Sequence, residues 1–114
     1  MLNIDLSRDH RIDWGKPQRE TYNLIKVLSH PHPGAYTFCE GKKVHIWEAK
    51  LCDTDEVEEF NAGGLVLGKT DDGIIVSAGT GQLEIKRLQF EGEKELNAAD
   101  AVTAGKIKLG QKFS

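Results

Sequence analysis

The apolar positions of this chain change period partway along. Between Pro17 and about Ser29, Tyr22, Ile25 and Leu28 recur every third residue with Leu24 beside them, while Arg19, Glu20, Asn23 and Lys26 fill the other side. That spacing predicts an amphipathic helix with Pro17 in its first turn, where a missing amide donor is no loss. Pro31 and Pro33 then remove donors and push the residues before them toward extended geometry, so the helix must end near Ser29. Residues 1 to 13 show no apolar period and read as a linker or lead-in, which leaves 14 to 114 as the domain.

From Ala35 the period falls to two or to short apolar runs. Ala35 to Cys39, the turn Glu40-Gly41, and Lys43 to Leu51 read as a hairpin. Residues 53 to 62 hold five carboxylates and neither Lys nor Arg, an acidic loop. Leu65 to Lys69 and Ile74 to Ala78 form a second hairpin around Asp71-Asp72-Gly73, with Asp-Gly expected to supply a positive φ. Gly79-Thr80-Gly81 turns the chain into Leu83 to Phe90, where the alternation slips by one at Lys86-Arg87. Such a slip reads as a β-bulge that bends the strand. Asn97 is placed to cap a short helix that Gly105 closes, and Ile107 and Leu109 alternate with lysines in the tail. About five short strands and two helices predict a mainly β fold. The expected architecture is a small OB-like, partly open β-barrel with an N-terminal amphipathic helix and a short C-terminal one.

Composition narrows this reading without overturning it. At 114 residues and 39% apolar, the chain suits one domain with a modest core. Fifteen Lys and Arg against 18 Asp and Glu leave a net charge of −3, which argues against a domain devoted to gripping a phosphate backbone. Apolar runs such as Gly73-Ile74-Ile75-Val76 are far too short to cross a bilayer, so no membrane partner is expected. Cys39 and Cys52 have no CxxC spacing and no secretory leader is read ahead of them. The expectation is a cytoplasmic protein with two reduced thiols.

Two features invite chemistry. His30-Pro31-His32 offers two imidazoles to a metal or a proton. A structural zinc site needs four ligands and a catalytic one three, and only His10 and His45 remain as further histidines. A stiff elbow between helix and strand, with Gly34 allowing close packing, accounts for the same residues, so no metal site is expected. Trp14 and Trp47 could stack on a base or sugar, yet their places before the helix and within a strand favour core packing.

Taken together, the motifs match a known pattern. Ile12-Asp13-Trp14, Pro31-x-Pro33-Gly34-Ala35-Tyr36-Thr37, Gly41-Lys42-Lys43, Ile46-Trp47-x-Ala49 and Gly63-Gly64 occur in order. They are followed by Gly79-x-Gly81, Leu88-Gln89, Gly92-x-Lys94, Ala99-Asp100, Gly105 and Gly110. Over roughly residues 11 to 113 the chain resembles the C-terminal domain of the methionyl-tRNA formyltransferase family, which includes sugar N-formyltransferases and formyltetrahydrofolate dehydrogenase. The resemblance implies a partner: an N-terminal Rossmann-like domain of the parent chain that carries the catalytic residues and the 10-formyltetrahydrofolate. This domain is then expected to bind no cofactor, hold no catalytic residue and show no formyl transfer alone. In tRNA-acting members the domain turns a basic surface to the tRNA. By that analogy Lys42, Lys43, Lys50, Lys86, Arg87, Lys106, Lys108 and Lys112 are the candidate acceptor or nucleic-acid contacts. The net negative charge tips the expected acceptor toward a nucleotide-linked amino sugar rather than tRNA. A stand-alone OB-type tRNA-binding or nucleic-acid-binding module is the alternative.

Overall fold

The computed structural model describes residues 10–29, 34–52 and 63–114. The His30-Pro31-His32 elbow and the acidic loop at 53–62 therefore lie outside the described residues, as does most of the lead-in. Helix α1 spans Gln18–Leu28 with Pro17 as its N-cap, and it buries Thr21, Ile25 and Leu28. Thr21 rather than Tyr22 completes that inward stripe. The Tyr22 ring stays half-buried with the Lys26 ammonium 5.9 Å from its centroid, keeping its polar end near water.

Six strands follow: β1 Ala35–Cys39, β2 Lys42–Leu51, β3 Val66–Lys69, β4 Ile74–Ser77, β5 Gln82–Phe90 and β6 Leu96–Asn97. They form one antiparallel sheet in the order β1-β2-β5-β4-β3, with β6 pairing the far half of β5. The sheet is not closed, because β1 and β3 are its two edges and do not pair. Inward-facing Val44, Ile46, Ile74, Val76, Leu83, Ile85 and Leu88 build a core with no solvent exposure.

Glu40 and Gly41 both take positive φ, 51° and 79°, so the first hairpin uses the two-residue turn whose twist suits antiparallel strands. The Asp71-Asp72-Gly73 turn does not work as its residues suggest, since neither Asp72 nor Gly73 takes positive φ. Gly73 is needed for space: a Cβ there would lie 2.2 Å from the Ile85 carbonyl oxygen. The slip at Lys86-Arg87 is real, and it has a counterpart. Trp47 is an extra residue in β2 and Lys86 an extra residue in β5, so the pairing of β2 with β5 shifts by one and then shifts back.

Both ends of the described chain pack on the edges of this sheet. Ile12, 3% exposed, donates its amide to the Tyr36 carbonyl at 2.7 Å, and the Tyr36 amide bonds to the His10 carbonyl. At the other end Phe113, rather than Leu109, enters the core: Phe113 is fully buried and Leu109 is 55% exposed. The tail crosses the open seam, exchanging two hydrogen bonds between Ser114 and Phe38 of β1 and receiving the Val66 amide of β3 at Gln111.

Helix α2, Ala98–Thr103, follows β6 directly, and the Asn97 side chain accepts the Ala99 amide at 2.8 Å. Gly105 at φ 78° ends it while the amides of Gly105 and Lys106 bond back to Val102 and Ala101, a Schellman cap.

Gly79 carries the tightest backbone contact of the β4–β5 turn. A Cβ there would sit 2.0 Å from the Gly15 carbonyl oxygen, and the Gly79 amide already bonds Lys16. Gly79→Ala must push two backbone segments apart and is expected to lose about 2–3 kcal/mol in urea unfolding. Gly92→Ala is the control. No atom lies within 4 Å of its Cβ position, so only its positive φ opposes the substitution, at about 1–2 kcal/mol.

Candidate functional site

Four of the eight basic candidates gather near the start of β2. Lys42 and Lys43 open β2 beside a cleft of about 370 Å³ that Gly41, Phe90, Glu91 and Glu93 also line. Lys106 reaches the same place, ion-paired to Glu93 and 5.5 Å from the Phe90 ring. Lys108 approaches it through Gln111, whose Oε1 accepts the Lys108 amide and whose Nε2 donates to Glu40.

Lys50, Lys86 and Arg87 sit at the opposite end, among carboxylates. Lys50 faces Glu84 across the ladder, and Lys86 Nζ lies 2.9 Å from Asp72 and 3.6 Å from Glu84. Arg87 pairs with Glu95. The Asp72 hydrogen bond, ahead of every other influence, raises the Lys86 pKa. Lys112 lies apart at the seam, opposite Leu65. The fold thus brings Lys42, Lys43 and Lys106 together with Lys108 nearby, and leaves the other four elsewhere. Ion pairing offsets Lys86, Arg87 and Lys106 as a polyanion would meet them.

A second surface is built from residues outside that set. On β1, Ala35, Thr37 and Cys39 face the core, so Tyr36 and Phe38 face outward; on β2, Lys43 and His45 do the same. The rings form a row. Tyr36 meets Phe38 edge-on at 5.8 Å and His45 at 6.4 Å, and His45 stacks on Trp47 at 5.8 Å. Arg11 lies over Phe38 at 4.8 Å and Lys43 over Tyr36 at 4.3 Å. Trp47, only 9% exposed, donates from Nε1 to Gln89 at 3.0 Å and lies beneath Gly34. A Cβ on Gly34 would come within 2.9 Å of that indole, which gives the glycine its packing role. The alternation of β1 holds the signal for this row, because two large aromatic residues on a solvent face are unusual.

The remaining reactive groups are quiet. Burial pushes the Cys39 thiol up, with Glu40 reinforcing and Lys42 opposing, and burial likewise raises Cys52, with Glu84 reinforcing. Both thiols are free. Among the described residues no three His, Cys, Asp or Glu side chains converge as metal ligands, and no helix is long and apolar enough to span a membrane. A further cleft of about 270 Å³ lies between the lead-in and α1, where Arg11 and Lys16 mix with Asp13 and Glu20.

Comparison with known proteins gives this surface a context. Residues 7–105 match the family described as formyl transferase, C-terminal domain. Methionyl-tRNA formyltransferase of Ruminiclostridium cellulolyticum is 33% identical over 102 residues, covering 90% of this chain and 32% of the relative. That of Halothermothrix orenii is 35% identical over 105 residues, covering 90% of this chain and 33% of the relative. Among solved structures, a variant of HypX from Aquifex aeolicus shares the fold with a TM-score of 0.68 at 19% identity, over 94% of this chain and 19% of HypX. HypX from the same organism in complex with tetrahydrofolic acid gives 0.63 at 20% identity, over 90% of this chain and 20% of that one. The chain spans about a third of the length of the curated relatives it matches. With nearly its whole length matched, the chain belongs to the family of formyl transferase C-terminal domains.

Proposed function

We propose that this chain is the non-catalytic C-terminal domain of a cytoplasmic formyltransferase that uses 10-formyltetrahydrofolate, where it supports binding of the formyl acceptor. One observation carries the reading: the match over residues 7–105 to a domain that makes up about a third of methionyl-tRNA formyltransferases. On this reading the cofactor is held by a Rossmann-like domain ahead of this one, and the domain itself begins by residue 10. The tail lying across the open seam supports an OB-like, partly open barrel as the architecture.

The relatives, named methionyl-tRNA formyltransferases, support methionyl-tRNA over a nucleotide amino sugar as the acceptor, with Lys42, Lys43, Lys106 and Lys108 as its proposed contacts. The ion pairs of Lys86, Arg87 and Lys106 favour the small acceptor as a second reading, because each offsets a charge that a polyanion would use.

Titration of labelled methionyl-tRNA at low and at moderate salt separates the two. Binding that weakens steeply with salt, and weakens about tenfold in a Lys42→Glu/Lys108→Glu variant, is the expected result. Binding of a nucleotide amino sugar with no tRNA binding at low salt reverses the choice. Formyl transfer by this chain alone overturns the non-catalytic reading.

A further inference from the structure

The basic cleft at the start of β2 carries its own anion. Lys42, Lys43, Phe90, Glu91 and Glu93 line it, and Lys106 reaches in through its ion pair with Glu93. The Glu91-Gly92-Glu93 turn is well tied down. Gly92 takes φ 81°, the Glu93 amide bonds back to the Phe90 carbonyl at 3.0 Å, and the Gln89 side chain donates to the Glu93 carbonyl at 2.7 Å. The Glu91 amide joins the same turn to the Lys43 carbonyl at 3.0 Å.

Lys106 is anchored from the other side. Its amide closes the cap of α2 on the Ala101 carbonyl at 2.9 Å, and its ammonium lies 5.5 Å from the Phe90 ring while donating to Glu93 Oε1. Two fixed backbones thus present one cation and one anion to each other, and only the side chains have to move to part them. The Lys106 and Glu93 side chains are 37% and 44% exposed. A pair that wet contributes little to stability, so a competing ligand can separate it at small cost.

Glu93 differs in this from the other carboxylates that hold candidate cations. Asp72 and Glu95 engage Lys86 and Arg87 away from the cleft, whereas Glu93 lines it. To a lysine, a carboxylate and a phosphate offer the same thing, an anionic oxygen that accepts a charge-assisted hydrogen bond. Both acceptors considered above carry phosphate, in a nucleic-acid backbone or in a nucleotide.

We propose that the Glu93 carboxylate stands in for an acceptor phosphate on Lys106 and must leave it before the acceptor binds, a built-in competitor that sets the affinity of the site. The inference rests on the acceptor-binding reading above and assigns the residue that limits it.

The test titrates labelled methionyl-tRNA against variants of this chain. Glu93→Gln keeps the side chain's length and the backbone bonds of the turn while removing the charge. It is expected to tighten binding about three- to tenfold at low salt and to steepen the salt dependence by about one phosphate contact. Glu91→Gln removes the same charge from the same cleft and is expected to gain about twofold at most. In a Lys106→Gln background the gain from Glu93→Gln disappears, because the competitor acts through that ammonium. Equal gains from the two glutamate variants, or a gain that survives Lys106→Gln, would mean general charge rather than displacement and overturn the proposal. Unchanged or weaker binding by Glu93→Gln overturns it too; if Lys42→Glu/Lys108→Glu still weakens binding, the acceptor reading stands without the competitor. Inorganic pyrophosphate, titrated against the same variants, distinguishes the sources of phosphate. Tightening by Glu93→Gln that depends on Lys106 and is seen with pyrophosphate, but without tRNA binding, assigns the competitor to a small acceptor. Failure of the wild type and Glu93→Gln to bind either probe overturns the proposal together with the acceptor reading.

Discussion

Trp14→Ala is expected to lower unfolding stability by about 3–5 kcal/mol, a large fraction of the roughly 5–15 kcal/mol such a domain possesses. The indole is 4% exposed, its Nε1 donates to the Thr37 hydroxyl at 2.9 Å, and its ring lies 5.8 Å from that of Phe113. The surroundings cannot collapse into the space. Gly63 and Gly64 approach Trp14 so closely that a Cβ on Gly63 would lie 1.9 Å from the Trp14 carbonyl oxygen, and these loops are already at backbone contact. Trp14→Phe separates packing from polarity. It keeps most of the ring and removes one hydrogen bond, at about 1 kcal/mol, because Thr37 still donates to the Ser114 carbonyl. Urea denaturation followed by far-UV circular dichroism reads both variants. A loss under 1 kcal/mol for the alanine variant would mean that Trp14 is not the packing centre of this end of the sheet.

Deleting residues 110–114 should be at least as damaging. It removes the fully buried Phe113 ring, worth about 3–5 kcal/mol by analogy with Phe→Ala substitutions. It also removes the bonds that span the seam: Ser114 with Phe38 at 2.9 Å each way, Phe113 with Gly64 at 2.7 Å, and Gln111 and Gly110 with Val66 at 2.9 and 2.8 Å. Each such bond adds about 0.5–1.5 kcal/mol. What remains folded would expose the unpaired edges of β1 and β3, an invitation for copies to pair edge to edge. The expected result is loss of a cooperative unfolding transition, with oligomers seen by light scattering. Phe113→Ala tests the ring alone, keeps the strap's backbone bonds, and should destabilise the chain without forming oligomers. A truncated chain that stays monomeric and unfolds like the wild type would show that the seam needs no strap.

Local rules made much of this fold readable in advance. Glu40-Gly41 specifies its turn because both residues must take positive φ, and Asn97 with Gly105 brackets α2 because a cap needs a side-chain acceptor at one end and a left-handed residue at the other. The broken alternation at Lys86-Arg87 betrayed a bulge, since side-chain period in a strand cannot slip without one. The order of short motifs carried the family, whose model matches residues 7–105.

The candidate site was far less legible. Eight basic residues looked alike along the chain, yet three of them are ion-paired to Asp72, Glu95 or Glu93. Glu95 and Glu93 lie eight and 13 residues from their partners, Asp72 14 residues from Lys86, and sequence spacing says nothing about which carboxylate a lysine will meet. The ring row was half visible, through the outward positions of β1. Its cations were not, because Arg11 reaches Phe38 only after the lead-in pairs with Tyr36.

By itself, then, the sequence determined most of the elements, though not the short strand β6, together with most of the turns and the family, all of which depend on residues a few positions apart or on their order. The tertiary structure alone decided that Phe113 rather than Leu109 enters the core, that Trp47 forms the counter-bulge, and that Gly63, Gly73 and Gly79 are required for space rather than for φ. Each of those is a contact between segments distant along the chain. Such contacts are set by how the sheet twists and where its edges come to lie, which no local pattern encodes.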